Sequence, residues 1–209
     1  CCELGEIVYE NFNAAAAEIR FTGVTAHPMS SKGVLVNPLL MATDYMSHFD
    51  RQQTPEYTAG REGYVWFNGI QGDQNSTLLQ ASIRDFDLAS FNRRKQQIGE
   101  VAQKIAAQYP TGKVEFHVSD TYSNISNAIG EDRRAIDLMF EAMESLGITP
   151  KPTPMRGGTD GAALSAKGVL TPNFFTGAHN FHSKFEFLPL RAFEASYQTA
   201  FQLCLLAAR

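Results

Sequence analysis

The 209-residue sequence predicts an α/β chain in two parts, a ferredoxin-like βαββαβ sandwich (an α+β arrangement) followed by a shorter αβαβα segment. Three observations predict it. Up to Tyr122 the hydrophobic period alternates in order between two residues and between three and four. Beyond Tyr122, helical stretches alternate with short apolar runs broken by Pro and Gly. A content of 44% apolar and 19% charged residues supplies core for one large domain or two small ones.

The elements follow in order. The opening ELGEIVYENF is strand-like. From residue 15 to 21 apolar residues alternate with Glu18 and Arg20, the pattern of a half-buried strand. In NPLLMATDYMSHF, Asn37 can cap, Pro38 suits the first helical position, and Leu39, Thr43, Met46 and Phe49 share one helical face. The runs YVWFNGI and TLLQASIRD flank GDQNS, a polar loop with hairpin chemistry, and Leu79, Ala81 and Ile83 alternate with polar residues. Asp87 then caps a long amphipathic helix carrying Phe91, Ile98, Val101, Ile105 and Tyr109, which Pro110 and Gly112 end. KVEFHVS alternates again and completes βαββαβ.

A helix is expected from about residue 131 to 146, with Ile136, Met139, Phe140 and Met143 inward and Gly147 as its stop. TPKPTPM, RGGTDG, a short helix (GAALSAK), the apolar VLTPNFF, the loop GAHNFHSKFEF and a final helix follow. In that last helix Phe193, Tyr197, Ala200 and Cys204 recur at helical spacing, which predicts a buried stripe. Alternating helices and short strands imply a parallel sheet. With so few strands, this half reads as part of a larger α/β domain.

The formal charge of −4 leaves no basic footprint for nucleic acid. No apolar run approaches the roughly 18 residues that span a bilayer. Cys1, Cys2 and Cys204 are an odd set with an adjacent pair, poorly suited to a disulfide framework, so a reducing cytoplasm is expected. The chain starts at Cys1 in strand-like sequence with neither initiator Met nor signal peptide, which reads as a cut end.

Three loops carry chemistry. In VTAHPMSSKG, His27 lies just past the first sandwich strand, where composition alone favours a surface loop histidine. In MRGGTDGAA, Arg156 precedes two glycines that let backbone approach a ligand, and Thr159-Asp160 can cap the next helix. A guanidinium beside a helix start suits a carboxylate; a plain glycine turn with a cap explains the same residues. In GAHNFHSKFEF, His179 and His182 stand three apart in a loop, by themselves a weak metal site. His117 on a strand and His48 near a helix end read as structural or solvated, and Trp66 as packing on the hairpin.

GEIVYENFNAAAAEIRFTGVTAHP, SIRDFDLASFNRRK, PMRGGTDGAALSAKG and FFTGAHNFHSKFEF closely resemble the peptidase T family of tripeptide aminopeptidases, within the larger clan of zinc exopeptidases and deacylases. The resemblance spans nearly the whole chain in order. It implies that residues 1–12 hold an end strand of a catalytic domain, 13–122 a ferredoxin-like lid and dimerisation domain, and 123–209 the C-terminal part of the catalytic domain. His182 then matches a ligand of one of two zinc ions, while His179 is not a ligand. Arg156 matches the arginine thought to hold substrate carboxylate. His27 matches a lid histidine that approaches the reacting carbonyl oxygen, in dimeric relatives from the neighbouring subunit. Asn124 matches a lid-edge asparagine in contact with substrate.

The implied chemistry is release of the N-terminal residue of a tripeptide, with a zinc-bridged water as nucleophile and a carboxylate as base. The resemblance also implies that the other metal ligands and the base lie upstream of the matched region, so this chain alone is expected to be inactive. Cys1 and Cys2 stand where the family has two glycines, a departure that leaves thiolate ligation a remote alternative. The competing readings are a noncatalytic, self-associating lid module with a vestigial site, and another clan activity, a carboxypeptidase or deacylase.

Overall fold

In the computed structural model residues 3–209 are described. They divide into a unit formed by Asn13–Tyr122 and a unit formed by residues 3–12 with Ser123–Arg209. Cys1 and Cys2, with the expectations attached to them, lie outside the described residues. After β1 (Glu6–Val8), the first of these units contains β2 (Asn13–Thr22), α1 (Pro38–Ser47), β3 (Tyr64–Gly72), β4 (Ser76–Asp85), α2 (Leu88–Gln108) and β5 (Lys113–Tyr122).

These strands form one antiparallel sheet in the order β3-β4-β2-β5. Strands that are consecutive across each helix are separated in space, which is the ferredoxin-like topology. In the central strand β2, Ala15, Ala17, Ile19 and Phe21 are buried on the side where both helices pack, while Ala16, Glu18 and Arg20 are exposed on the other. The period of two decides this, because successive side chains leave a strand on opposite faces.

Both helices start as their caps dictate. Asn37 Oδ1 accepts from Leu39 N–H at 3.0 Å with Pro38 at the first helical position, and Asp87 Oδ1 accepts from Ser90 N–H at 2.7 Å. The α2 residues Phe91, Ile98, Val101 and Ile105 are buried as expected. The face of α1 differs. Pro38, Met41, Ala42 and Tyr45 enter the core, whereas Leu39 and Thr43 of the expected face are exposed. Tyr45 sets this rotation: its ring sits edge-on to Phe21 at 5.5 Å and Phe67 at 6.1 Å, and its hydroxyl donates to Ile98 C=O at 2.9 Å.

The second unit adds α3 (Ser126–Ile129), α4 (Arg134–Ser145), β6 (Lys151–Pro152), α5 (Asp160–Ser165), β7 (Asn173–Phe174) and α6 (Leu190–Ala207) to β1. Its sheet order is β6-β1-β7. β6 runs parallel to β1, but β7 pairs with it antiparallel, so the expected all-parallel sheet is corrected to a mixed one. The helix before β7 is only six residues long, and the chain turns through Gly168 at φ 89°. α4 buries Ile136, Met139, Ala142 and Met143 and ends at Gly147, whose φ of 70° suits a residue without Cβ.

The expectation for the last helix is overturned. Phe193 and Tyr197 are 57% and 59% exposed, and Ala200 and Cys204 are exposed with them. The buried residues are Ala192, Thr199 and Leu206, and Ala195 and Leu203 pack against a core of Ile7, Val8, Met139, Met143 and Phe175. Helical spacing identifies a face, but neighbours decide which face is covered. No helix among the described residues is long and apolar enough to cross a membrane.

Candidate active site

The RGGTDG loop is built onto the strand end that precedes the other unit. Phe12 N–H donates to Met155 C=O at 3.2 Å, and the Arg156 guanidinium lies 5.0 Å from the centroid of the buried Phe12 ring. Thr159, rather than Asp160, caps α5, its hydroxyl accepting from Ala162 N–H at 3.2 Å and from Asn173 Nδ2 at 3.1 Å. Gly157 and Gly161 of this loop differ. A Cβ on Gly161 would meet Thr171 C=O at 2.2 Å, so packing demands that glycine, whereas a Cβ on Gly157 would meet nothing within 4 Å. Gly157 is thus not required by packing. α5 is also too short to offer much dipole, so the positive charge of the loop resides in Arg156.

Asn124 is gathered onto the same strand end. It is 2% exposed, and its Oδ1 accepts from Asn11 N–H at 2.9 Å and Ser126 N–H at 3.0 Å. Asn11, fully buried, reciprocates: its Oδ1 accepts from Ile125 N–H at 2.8 Å, and its Nδ2 donates to Phe12 C=O at 2.9 Å. The two side-chain amides clasp the two stretches of chain where this unit continues into the other. Residue-by-residue reading of the sequence missed Asn11. The only signal for it is a polar residue amid the aromatic and apolar residues of YENFNAA.

His182 occupies a loop closed on itself. His179 and Phe187 exchange backbone hydrogen bonds at 2.9 and 3.3 Å, and their rings stack at 5.2 Å. Between them Asn180 and His182 adopt φ of 57° and 63°, the left-handed region that non-glycine residues enter at a cost of about 1–2 kcal/mol. The loop holds His182 there by its N–H, which donates to Glu186 Oε2 at 3.0 Å, while Asn180 Nδ2 donates to Phe185 C=O at 3.2 Å. His182 itself is exposed. Glu186 is the second residue that the sequence reading overlooked, and it is visible only through the folded loop.

His27 belongs to the Asn13–Tyr122 unit, where it caps the short turn Pro28–Ser30 and is exposed. Its Nδ1 accepts from Met29 N–H at 3.2 Å. In the neutral ring this arrangement puts the proton on Nε2, so Nε2 is a donor directed away from its own backbone. The structure therefore collects Asn124 and Arg156 on one strand end, sets His182 on a separate loop of the same unit, and carries His27 in the other unit. Among the described residues no group of three or more His, Cys, Asp and Glu is placed to hold a metal ion.

Comparison with known families places this arrangement. A family model described as a peptidase dimerisation domain, of the M20 type, matches residues 9–113. The chain belongs to the M20 peptidase dimerisation-domain family. That domain covers the whole ferredoxin-like unit up to the first residue of β5. Over 209 residues the chain is 63% identical to a peptidase T-like protein of Yersinia pestis, covering 100% of this chain and 51% of that protein. Over 196 residues it is 41% identical to the peptidase T of Caldanaerobacter subterraneus, covering 94% of this chain and 48% of that protein. The chain thus spans about half the length of the curated relatives it matches. Among solved structures the fold is shared with the aminopeptidase PepT of Bacillus cereus, at a TM-score of 0.82 and 17% identity over 97% of this chain and 54% of that one. It is also shared with a dinuclear metal-binding peptidase of the M20 family from Bacillus subtilis, at 0.70 and 18% over 98% and 54%. Beyond residue 113 the similarity to the Yersinia pestis relative continues, since that match spans all 209 residues.

Proposed function

We propose that this chain is the lid and the substrate-facing part of a zinc-dependent tripeptide aminopeptidase, working in the cytoplasm and releasing the N-terminal residue of tripeptides. The observation that carries the reading is the co-occurrence, at 63% identity to a peptidase T-like protein over the whole chain, of a charged guanidinium beside an unencumbered glycine at Arg156 and a strained, exposed histidine at His182. Arg156 would hold the tripeptide carboxylate, with the Phe12 ring fixing the guanidinium plane. His182 would supply one imidazole to a zinc ion whose other ligands, and those of a second zinc, come from residues beyond this chain. Zinc when bound supplies the activated water. The left-handed backbone at His182 is the kind of strain that is kept where a side chain must point in one direction.

His27 would donate from Nε2 to the carbonyl oxygen as negative charge develops on it, since its Nδ1 is occupied by Met29 N–H. Asn124 would stand at the lid edge beside substrate, its Oδ1 held in place by the backbone N–H groups of Asn11 and Ser126. Self-association through the lid, by α2 or by an edge strand (β3 or β5), would carry His27 to a neighbouring active site. Neither nucleic acid nor membrane enters this reading.

The test joins this chain to the part of the Yersinia pestis relative that lies outside the matched segment and follows release of the N-terminal residue from a free tripeptide. Hydrolysis is expected only in the joined protein. Arg156→Ala should raise KM for the tripeptide far more than it lowers kcat, and His182→Ala should remove about one zinc per chain. Hydrolysis by the 209-residue chain alone, or no hydrolysis after joining, refutes the proposal; the second result favours a noncatalytic self-associating module. Preference for acylated amino acids over free tripeptides would instead indicate a carboxypeptidase or deacylase.

A further inference from the structure

His27 and Met29 stand together on a loop that is closed at its base. Val24 and Val36 exchange backbone hydrogen bonds at 3.0 and 2.9 Å across its neck. A Cβ on Gly23 would meet Val36 C=O at 2.3 Å, so glycine is what lets the two ends of the loop meet. At the tip, Pro28 starts the short turn Pro28–Ser30, Ser30 N–H donates to His27 C=O at 2.8 Å, and Ser31 Oγ donates to Pro28 C=O at 3.2 Å. Met29 N–H donates to His27 Nδ1 at 3.2 Å. Backbone geometry thus holds the imidazole and the methionine side by side.

The Met29 side chain is 90% exposed, the most exposed large apolar side chain among the described residues. The other methionines differ. Met41 and Met143 are fully buried, Met139 is 4% exposed, and Met46 and Met155 are partly covered and pack against the two cores. A thioether is a soft, polarisable group, and oxidation turns it into a polar, chiral sulfoxide whose oxygen accepts hydrogen bonds. The neutral His27 ring, itself exposed, carries its proton on Nε2 because Nδ1 is taken by Met29 N–H. An acceptor added to the flexible Met29 side chain is therefore added beside that donor.

We infer that Met29 is a site of reversible oxidation that acts on His27. With hydrogen peroxide as oxidant, the sulfur lone pair attacks one peroxide oxygen. An S–O bond forms, the O–O bond breaks, and the proton of the attacked oxygen passes to the departing one. The sulfide is oxidised by two electrons to the sulfoxide, and the peroxide is reduced to water. Two thiols of a methionine sulfoxide reductase reverse the change: the oxygen leaves as water and the thiols become a disulfide. The sulfoxide oxygen accepts from His27 Nε2–H, the donor that the proposed peptidase directs at the substrate carbonyl, and so withdraws it from that task. The oxidation and its effect on the ring rest on this loop alone, whereas the effect on hydrolysis rests on the reading of the chain as part of a peptidase.

The first measurement treats the 209-residue chain with limiting hydrogen peroxide and follows each methionine by mass spectrometry of its peptides. Met29 sulfoxide is expected to form at least about tenfold faster than sulfoxide at Met41, Met139 or Met143, because a buried thioether reacts only when its core opens. Equal rates overturn the inference. The second records the ring nitrogens of His27 by NMR. The Nε2 resonance should move on oxidation of the parent, return after treatment with methionine sulfoxide reductase and a thiol, and stay fixed in Met29→Leu, which keeps the backbone N–H but has no sulfur. A His27 signal unmoved by Met29 oxidation, or moved equally in Met29→Leu, overturns the coupling. In the chain joined to the outside half of the Yersinia pestis relative, oxidation should lower kcat for the tripeptide reversibly by about tenfold or more in the parent and not in Met29→Leu, as expected for loss of a donor to the developing oxyanion. Cysteine oxidation is common to both variants, so an equal loss in both, or none in either, overturns the catalytic consequence. A joined protein that hydrolyses no tripeptide before oxidation removes the proposed activity, and the first two measurements still decide the oxidation site and its action on His27.

Discussion

Asn124→Ala takes away the one acceptor shared by two backbone donors. Asn11 N–H and Ser126 N–H reach Asn124 Oδ1 at 2.9 and 3.0 Å, the first buried and the second partly so. A buried donor left unpaired costs about 1–3 kcal/mol, and an ordinary hydrogen bond contributes about 0.5–1.5 kcal/mol. The expected loss is therefore about 2–4 kcal/mol from the unit containing residues 3–12 and 123–209, larger than most single substitutions produce. Asn11→Ala should cost a comparable amount, because Ile125 N–H, 2.8 Å from Asn11 Oδ1, then loses its acceptor. The double variant should lose less than the sum, since each side chain supports the other's placement. Denaturant unfolding followed by far-ultraviolet circular dichroism measures the loss. Emission from Trp66, the single tryptophan and a residue of the other unit, checks that the other unit remains native. No substrate is present, so a pure substrate-binding role for Asn124 predicts no effect. A stability within about 0.5 kcal/mol of the parent would refute the clasp.

Three further outcomes follow from the same geometry. Gly177→Ala combines a φ of 80° with a Cβ placed 2.5 Å from Ala192 Cβ on α6, and should cost about 2–4 kcal/mol; a melting temperature within about 2 °C of the parent would contradict it. Tyr45→Phe deletes the hydroxyl that donates to Ile98 C=O at 2.9 Å and should cost about 1–2 kcal/mol in the same unfolding assay. Burial pushes the Tyr45 phenol well above the ordinary tyrosine range, so its share of stability is full below the unfolded value and is lost as pH rises through the folded one. An alkaline titration of tyrosinate absorbance should therefore be the same for parent and variant until unfolding begins. The N–H of Ser90 holds the Asp87 carboxyl below its ordinary value, so its contribution is full above the unfolded carboxylate range and disappears as pH falls through the lower folded value. Asp87→Asn keeps a capping oxygen and should flatten the fall in melting temperature on acidification; an unchanged slope would show that the cap does not titrate with folding.

The sequence by itself determined the ferredoxin-like unit, because its signals are local. Alternation along β2 and β4, the caps at Asn37 and Asp87, and the polar GDQNS loop each act within a few residues, and together they give the βαββαβ order of elements. It also marked Arg156 and His182 as candidates through the motifs around them. Only the tertiary structure decided which face of α1 turns inward, because Tyr45 competes for space among Phe21, Phe49 and Phe67. Only folding brought Asn11 and Asn124 together, 113 residues apart, and only the closed loop put Glu186 against the His182 N–H. The sharpest difference is α6, where identical spacing is compatible with a buried or an open stripe. Periodicity records that a face is apolar; what lies opposite it in three dimensions decides whether that face is core or contact surface.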